Sequence, residues 1–330
     1  LKLLVFEYIT GGGLVGQTLP ASLVAEGRLM LQALLDDLKQ IPAVQILLPL
    51  DQRCTGLTLP ANVKVFPVKE SDDIGQILTQ LITQADLVWP IAPETDNILF
   101  KLARQIEALQ KTALLSSPET VAICADKLAT YRRLNAQAIP VVETLALVGW
   151  TEPPFPQSVI KPIDGVGCED NRIIPTAEDF KSVIESLDQS KRFLIQPLLT
   201  GQAVSLSCLF KQGKAWLISC NQQQMLIQNN RFSLAACLVN VANQNQVFYQ
   251  SLIQQIAQAL PGLWGYIGID LIETPDQGPL ILEINPRLTT SYVGIKQASG
   301  INVAEQVIKL LDGEPDLHFF NPKPIRVVIH

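Results

Sequence analysis

Histidine is nearly missing from this 330-residue chain: it has two, His318 and His330, both close to the end. That argues against His-ligated zinc chemistry and against any Ser/His or Cys/His relay embedded in the fold. Charge is scarce too, 17% Asp, Glu, Lys and Arg where ~25% is usual. A hydrophobic content of 48% means that the chain folds. A net charge of −6 leaves no strongly basic face for nucleic acid. No apolar run approaches the roughly 20 residues of a membrane span. The run after Lys2 meets Glu7 too soon for a secretion signal. The six cysteines (54, 124, 168, 208, 220 and 237) form no C-x-x-C pair, which suits reduced thiols in a cytoplasm. The Lys/Glu enrichment of hyperthermophiles is absent as well, which points to a mesophilic source. Catalysis here is left to carboxylates, lysine, arginine and backbone amides.

What is present reads as two or three domains, at roughly 100–200 residues each. Residues 2–9 and 44–50 read as buried parallel strands, with a helix over 22–38 between them. Apolar residues at helical spacing predict a helix over 74–85, followed by a strand at 86–91 and a helix at 97–110. Strands alternating with helices mean a parallel α/β domain over residues 1–112. Ser117-Pro118-Glu119 opens a helix that is expected to carry Lys127. A stiff TEPPFP connector leads to a strand at 158–162 and a Gly-rich loop, in a small central domain over 113–192. From 193 to 330, alternation such as Val204, Leu206, Cys208, Phe210 predicts antiparallel sheet with one face buried.

Gly11-Gly12-Gly13-Leu14-Val15-Gly16 satisfies G-x-G-x-x-G after a strand. A dinucleotide site needs a helix to start within that turn and an acid ending the second strand about 20 residues on. Here Gln17–Pro20 intervenes, and Asp51 comes too late. The loop reads better as a cradle or lid for a substrate carboxylate, its amides free for an anion, or else as a flexible tip.

The chemistry concentrates in GYIGIDLIETPDQGPLILEINPR, residues 265–287. Two strand-like runs around a Pro/Asp/Gly turn predict a hairpin. A turn centred on Asp276-Gln277 places Asp270 opposite Glu283. Alternation puts Glu283, Asn285 and Ile281 on one face and Leu280, Leu282 and Ile284 on the other. Converging oxygen ligands with room for phosphate and water suit Mg²⁺ or Mn²⁺. Lys161 ends a strand before Pro162-Ile163-Asp164-Gly165-Val166-Gly167, whose amides can fold over a phosphate chain. Phe193–Leu199 reads as a strand leading to a hinge where adenine can meet backbone and stack on aliphatics.

Over residues 113–312 this order of motifs resembles the ATP-grasp superfamily. The resemblance implies an ATP-grasp fold, α/β and α+β, with a parallel pre-ATP-grasp domain, a central lid and an antiparallel-sheet domain. It implies that Lys127, Lys161, Gly165 and Gly167 bind phosphates, and that Gln196, Leu198 and Leu199 bind adenine. Asp270, Glu283 and Asn285 would hold two Mg²⁺ or Mn²⁺ ions, while Arg287, with Lys161, stabilises the transferring phosphoryl group. Gly201 is followed by Gln202-Ala203 where family members often place a ribose-binding glutamate, so ribose contact must be weaker or come from elsewhere.

Three stretches narrow the resemblance: Glu7–Gly13, Leu19–Leu23 with Glu26-Gly27, and Asn285–Gly294 look like the tyramine–L-glutamate ligases of methanofuran biosynthesis and related enzymes of C1-metabolising bacteria. That implies γ-glutamyl amide formation from glutamate, ATP and a tyramine-like amine or tyrosine. Glu7, Gly11, Gly12, Gly13 and Arg287 become candidates for glutamate, and Thr289, Thr290, Ser291 and Tyr292 for the acceptor. Tyr8 and Tyr292 can equally be core aromatics. The oligomeric state stays open, a homodimer included. Competing readings are a ligase for another amino acid or amine, a nicotinamide oxidoreductase using Gly11–Gly16, and a non-catalytic nucleotide sensor.

Overall fold

The computed structural model describes residues 1–168, 170–319 and 323–328. His330 lies outside them. Strands β1 (Lys2–Glu7), β2 (Gln45–Asp51), β3 (Val63–Val68), β4 (Leu87–Ile91) and β5 (Thr112–Ala113) form a parallel sheet in the order β3-β2-β1-β4-β5. Helices α1 (Ala21–Leu38), α2 (Ile74–Gln84) and α3 (Ile98–Ala108) cover it. Leu3 and Val5 pack with Leu31 and Leu34 of α1, while Leu4 and Phe6 pack with Leu81 of α2 and Leu99 of α3. Both faces of β1 are therefore buried, which is why it reads as an unbroken apolar run. β3 was not anticipated. It lies at the sheet edge, partly exposed, and Pro67 masks its strand character.

The strand order reverses between β1 and β4, so a crevice opens beyond their C-terminal ends. The chain after β1 does not extend to residue 9 as a strand. The Glu7 carboxylate accepts the Ile9 and Thr10 amide hydrogens and folds the backbone into a turn.

Ser117 caps α4 (Pro118–Ala125) by accepting from the Thr120 amide. Asp126 is extended and ends that helix. Its carboxylate accepts from Ala129 and caps α5 (Lys127–Asn135). Lys127 thus opens a second helix instead of riding on the first. Strands β6 (Leu145–Ala146), β7 (Ser158–Pro162), β8 (Arg172–Ile174) and β9 (Phe193–Pro197) make a small antiparallel sheet, order β6-β9-β7-β8. Helix α6 (Ala177–Ser186) covers it through Phe180, packed on Ile160, Ile174 and Ile195.

The larger sheet, β14-β13-β10-β11-β12-β15, is antiparallel. Its strands are β10 (Gln202–Lys211), β11 (Lys214–Gln228), β12 (Arg231–Val239), β13 (Gly265–Thr274), β14 (Gly278–Asn285) and β15 (Ile325–Val328). Val204, Leu206, Cys208 and Phe210 face α7 (Gln246–Ala259), as alternation indicates. The other face is not solvated. Leu209 joins the core shared with α1, α8 (Tyr292–Ser299) and α9 (Val303–Lys309). Ser205 and Ser207 are also buried, and Asn221 donates to both hydroxyls. The polar half of the alternation marks an internal hydrogen-bonded layer. Among the described residues, no helix is long and apolar enough to cross a membrane.

Candidate active site

The hairpin β13–β14 forms as expected at its base, with Asp270 opposite Glu283 and Gly268 opposite Asn285. Its turn is tighter than a centre at Asp276-Gln277 implies, since Thr274 pairs with Gly278. A bulge next to Asp270/Leu271 absorbs the difference, leaving Leu282 without a partner. The bulge changes the faces: Ile281 and Ile284 both enter the core against α7, while Leu282, Glu283 and Asn285 line a cleft of about 720 Å³.

In that cleft Asp270 accepts from the Asn285 amide at 3.1 Å and from Gln223 at 3.0 Å. Burial and the neighbouring Glu283 push the Asp270 carboxyl well above the usual range. Burial acts upward on Glu283 as well, but Lys127 and Lys161 outweigh it and hold that carboxyl low. Two adjacent carboxylates and one amide supply hard oxygen donors. Among the described residues, no group of three or more His, Cys, Asp or Glu side chains is placed to hold a metal. The two carboxylates of Asp270 and Glu283 with the Asn285 amide oxygen fit Mg²⁺ or Mn²⁺, with the remaining positions left to phosphate and water.

The Lys127 ammonium donates to the Gly165 carbonyl and lies 3.2 Å from Glu283. The Lys161 ammonium has no hydrogen-bond or ion-pair partner among the described residues. Burial pulls its pKa down, with Glu283 opposing and Lys127 adding to the shift. The Gly-rich loop turns through Gly167 at φ 61° and is pinned by Asp164, which accepts from the Asp96 amide at 3.0 Å. At the other wall, Gln196 is buried and donates to Thr144, leaving its Oε1 without a partner. Leu198 and Leu199 line the same end, although the Leu198 amide already donates to Gln157.

Arg287, Thr289, Thr290 and Ser291 line the cleft as well. Arg287 Nε lies 3.0 Å from each oxygen of Glu94, which is 4% exposed. Sequence reasoning missed Glu94; its one signal was its position just past the C-terminal end of β4. Gln223 of β11 was missed as well, and Glu26 of α1 stood within a quoted stretch without a role, because a single polar residue on a helix or strand carries no mark of its target.

Four expected substrate contacts lie elsewhere. Gly11 and Gly13 donate their amides to Glu7 and Tyr8 carbonyls inside the loop, so the anion cradle does not form. Gly12, at φ 96°, is packed against Val68. Glu7 is 3% exposed and is spent on Ile9 and Thr10. The position of Tyr292 in the core is a fifth correction: its hydroxyl donates to Asp37 at 2.7 Å. The dinucleotide reading fares no better. No helix starts until Ala21, and Asp51 is engaged by Arg53, whose Nη2 and Nη1 also donate to the Leu14 and Gln17 carbonyls.

The chain matches two family models, a pre ATP-grasp 3 domain over residues 44–121 and an ATP-grasp domain over residues 124–291. Among curated proteins, the tyramine–L-glutamate ligase of Methanocaldococcus jannaschii is 27% identical over 314 residues, spanning 94% of this chain and 90% of the relative. The tyramine–L-glutamate ligase of Methanocaldococcus fervens is 26% identical, spanning 94% of each. Among solved structures, an ATP-grasp superfamily protein from Archaeoglobus fulgidus superposes with a TM-score of 0.72 at 23% identity, covering 99% of this chain and 92% of that one. The fold and the match over half its length show that the chain belongs to the ATP-grasp family.

Proposed function

We propose that this ATP-grasp ligase joins the γ-carboxylate of L-glutamate to a tyramine-like amine, tyramine or tyrosine, at a step in methanofuran- or methylofuran-type cofactor synthesis. The observation that carries the reading is full-length similarity to two tyramine–L-glutamate ligases. The convergence of Lys127, Lys161, Asp270, Glu283, Asn285 and Arg287 in one cleft supports it.

Bound ATP with two Mg²⁺ or Mn²⁺ ions supplies the phosphoryl group and neutralises charge as it transfers. Lys127, Lys161 and the Gly165–Gly167 loop hold the phosphates. Gln196, Leu198 and Leu199 form the adenine end, and Asp270, Glu283 and Asn285 are the metal ligands. A glutamate carboxylate oxygen attacks the γ-phosphorus, ADP leaves, and an acyl-phosphate forms. The amine nitrogen then attacks the acyl carbon, inorganic phosphate departs, and the amine gives up a proton. Arg287, oriented by Glu94, offsets charge on the transferring group without histidine.

The reading is tested by incubating the protein with ATP, Mg²⁺ or Mn²⁺, glutamate and a panel of amines, and weighing the products by mass spectrometry. A γ-glutamyl amide of tyramine or tyrosine is expected. Amide formation only with other acids or amines would reassign the substrate, and ATP binding without any turnover would favour a sensor.

A further inference from the structure

Glu26 reaches the cleft from α1 and has no task in the scheme above. Its Oε1 accepts from Thr290 Oγ1 at 2.5 Å, and it lines the same cleft as Arg287, whose guanidinium feels its charge. Glu94 is consumed by Arg287, whereas Glu26 forms no ion pair among the described residues. Behind it the space is closed. At Gly27 a Cβ would sit 2.7 Å from Glu7 Oε2, and the Glu7 carboxyl feels the Glu26 charge as a repulsion. A carboxylate with a buried acid behind, a hydroxyl beside, an open cleft in front and Arg287 beyond ion-pair distance lacks a cation in direct contact. A guanidinium and a carboxylate that line one cleft and feel each other's charge without forming an ion pair match the two charges of an amino-acid zwitterion.

We propose that Glu26 binds the primary ammonium group of the substrate, foremost the α-ammonium of the amino acid whose side-chain carboxylate is activated. This rests on the ligase reading. It makes Glu26 the residue that separates glutamate from dicarboxylates of the same length that lack an ammonium.

The test compares phosphate release with glutamate and with glutarate in the wild type, Glu26→Gln and Thr290→Val. The Glu26→Gln variant is expected to raise KM for glutamate by about ten- to a hundred-fold, the value of one charge-assisted hydrogen bond. It should also erase the preference over glutarate, whereas Thr290→Val keeps that preference. A rise confined to KM for the amine would support the ammonium site with the acceptor as its source. Unchanged preference and unchanged KM values in Glu26→Gln would overturn the proposal. So would a Thr290→Val variant that behaves like Glu26→Gln, since Glu26 would then act only by holding the hydroxyl. Should the wild type turn over no glutamate, the ligase reading fails separately. Calorimetric titration of wild type and Glu26→Gln with amino acids and their deaminated counterparts then decides. Loss of ammonium preference in the variant supports the site, and equal binding overturns it.

Discussion

Arg287 and Glu94 stand 193 residues apart in the chain and meet through Nε at 3.0 Å from both carboxylate oxygens, with a guanidinium nitrogen also 3.0 Å from Oε2. Both side chains are largely buried, so the pair holds the guanidinium in one plane. It also ties the end of the β13–β14 hairpin to the mouth of the parallel sheet. Glu94→Ala leaves that cation unpaired. Breaking a buried pair of this kind costs about 3–5 kcal/mol. A clear drop in melting temperature is expected, together with a fall in kcat larger than any rise in KM for ATP.

Lys161 and Glu283 carry opposite charges in one cleft, and each acts on the other's proton affinity. Lys161→Ala and Glu283→Ala should each lower glutamate- and amine-dependent phosphate release by about 10²–10³-fold, the scale for removing one preorganised electrostatic group. Steady-state phosphate assays check this. ATP turnover surviving both changes would rule out the cleft as the reaction centre.

The base of the hairpin was legible because Asp270 and Glu283 lie on period-2 strands around a Pro/Asp/Gly turn. The bulge at Leu282 was not, because an extra residue shows only against its partner strand, and it moved Ile281 from the cleft face to the core. Lys127 was found but set on the wrong helix, since Asp126 looks like an interior residue until its carboxylate is seen capping Ala129. The alternation in β10 suggests a wet face, because buried serines that accept from Asn221 look like surface serines in sequence. Glu94 carries no sequence signal, and Glu26 stands in a quoted stretch that does not name its contact; both act across large sequence separations that no local pattern encodes.

Glu7 gives a pH test. Burial raises its carboxyl above the ordinary range, Glu26 adds to this, and hydrogen bonds from Thr10 and Ile9 oppose it. The folded state therefore holds this proton more tightly than the unfolded state does. Stability from this group is fully present below the unfolded value of about 4.3 and is lost as pH rises through the folded value. Thermal melts across that window should show this slope in the wild type and lack its contribution in Glu7→Gln.

The glycine loop separates a packing role from a binding one. A Cβ at Gly13 would sit 2.4 Å from the Tyr8 ring, so Gly13→Ala should destabilise by about 1–3 kcal/mol through overpacking. Gly16, at φ 75° with nothing within 4 Å, should cost only the backbone strain of an L-residue, about 1–2 kcal/mol. Melting temperatures check the order, and KM for glutamate should stay where it is in both. A raised KM with an unchanged melting temperature would restore the anion cradle.

The most direct test of carboxylate activation follows oxygen. With glutamate carrying ¹⁸O in its γ-carboxylate, turnover with ATP and tyramine should deliver one labelled oxygen to the inorganic phosphate, because acyl-phosphate breakdown leaves the bridging oxygen on phosphorus. Amide product accompanied by unlabelled phosphate would contradict that route.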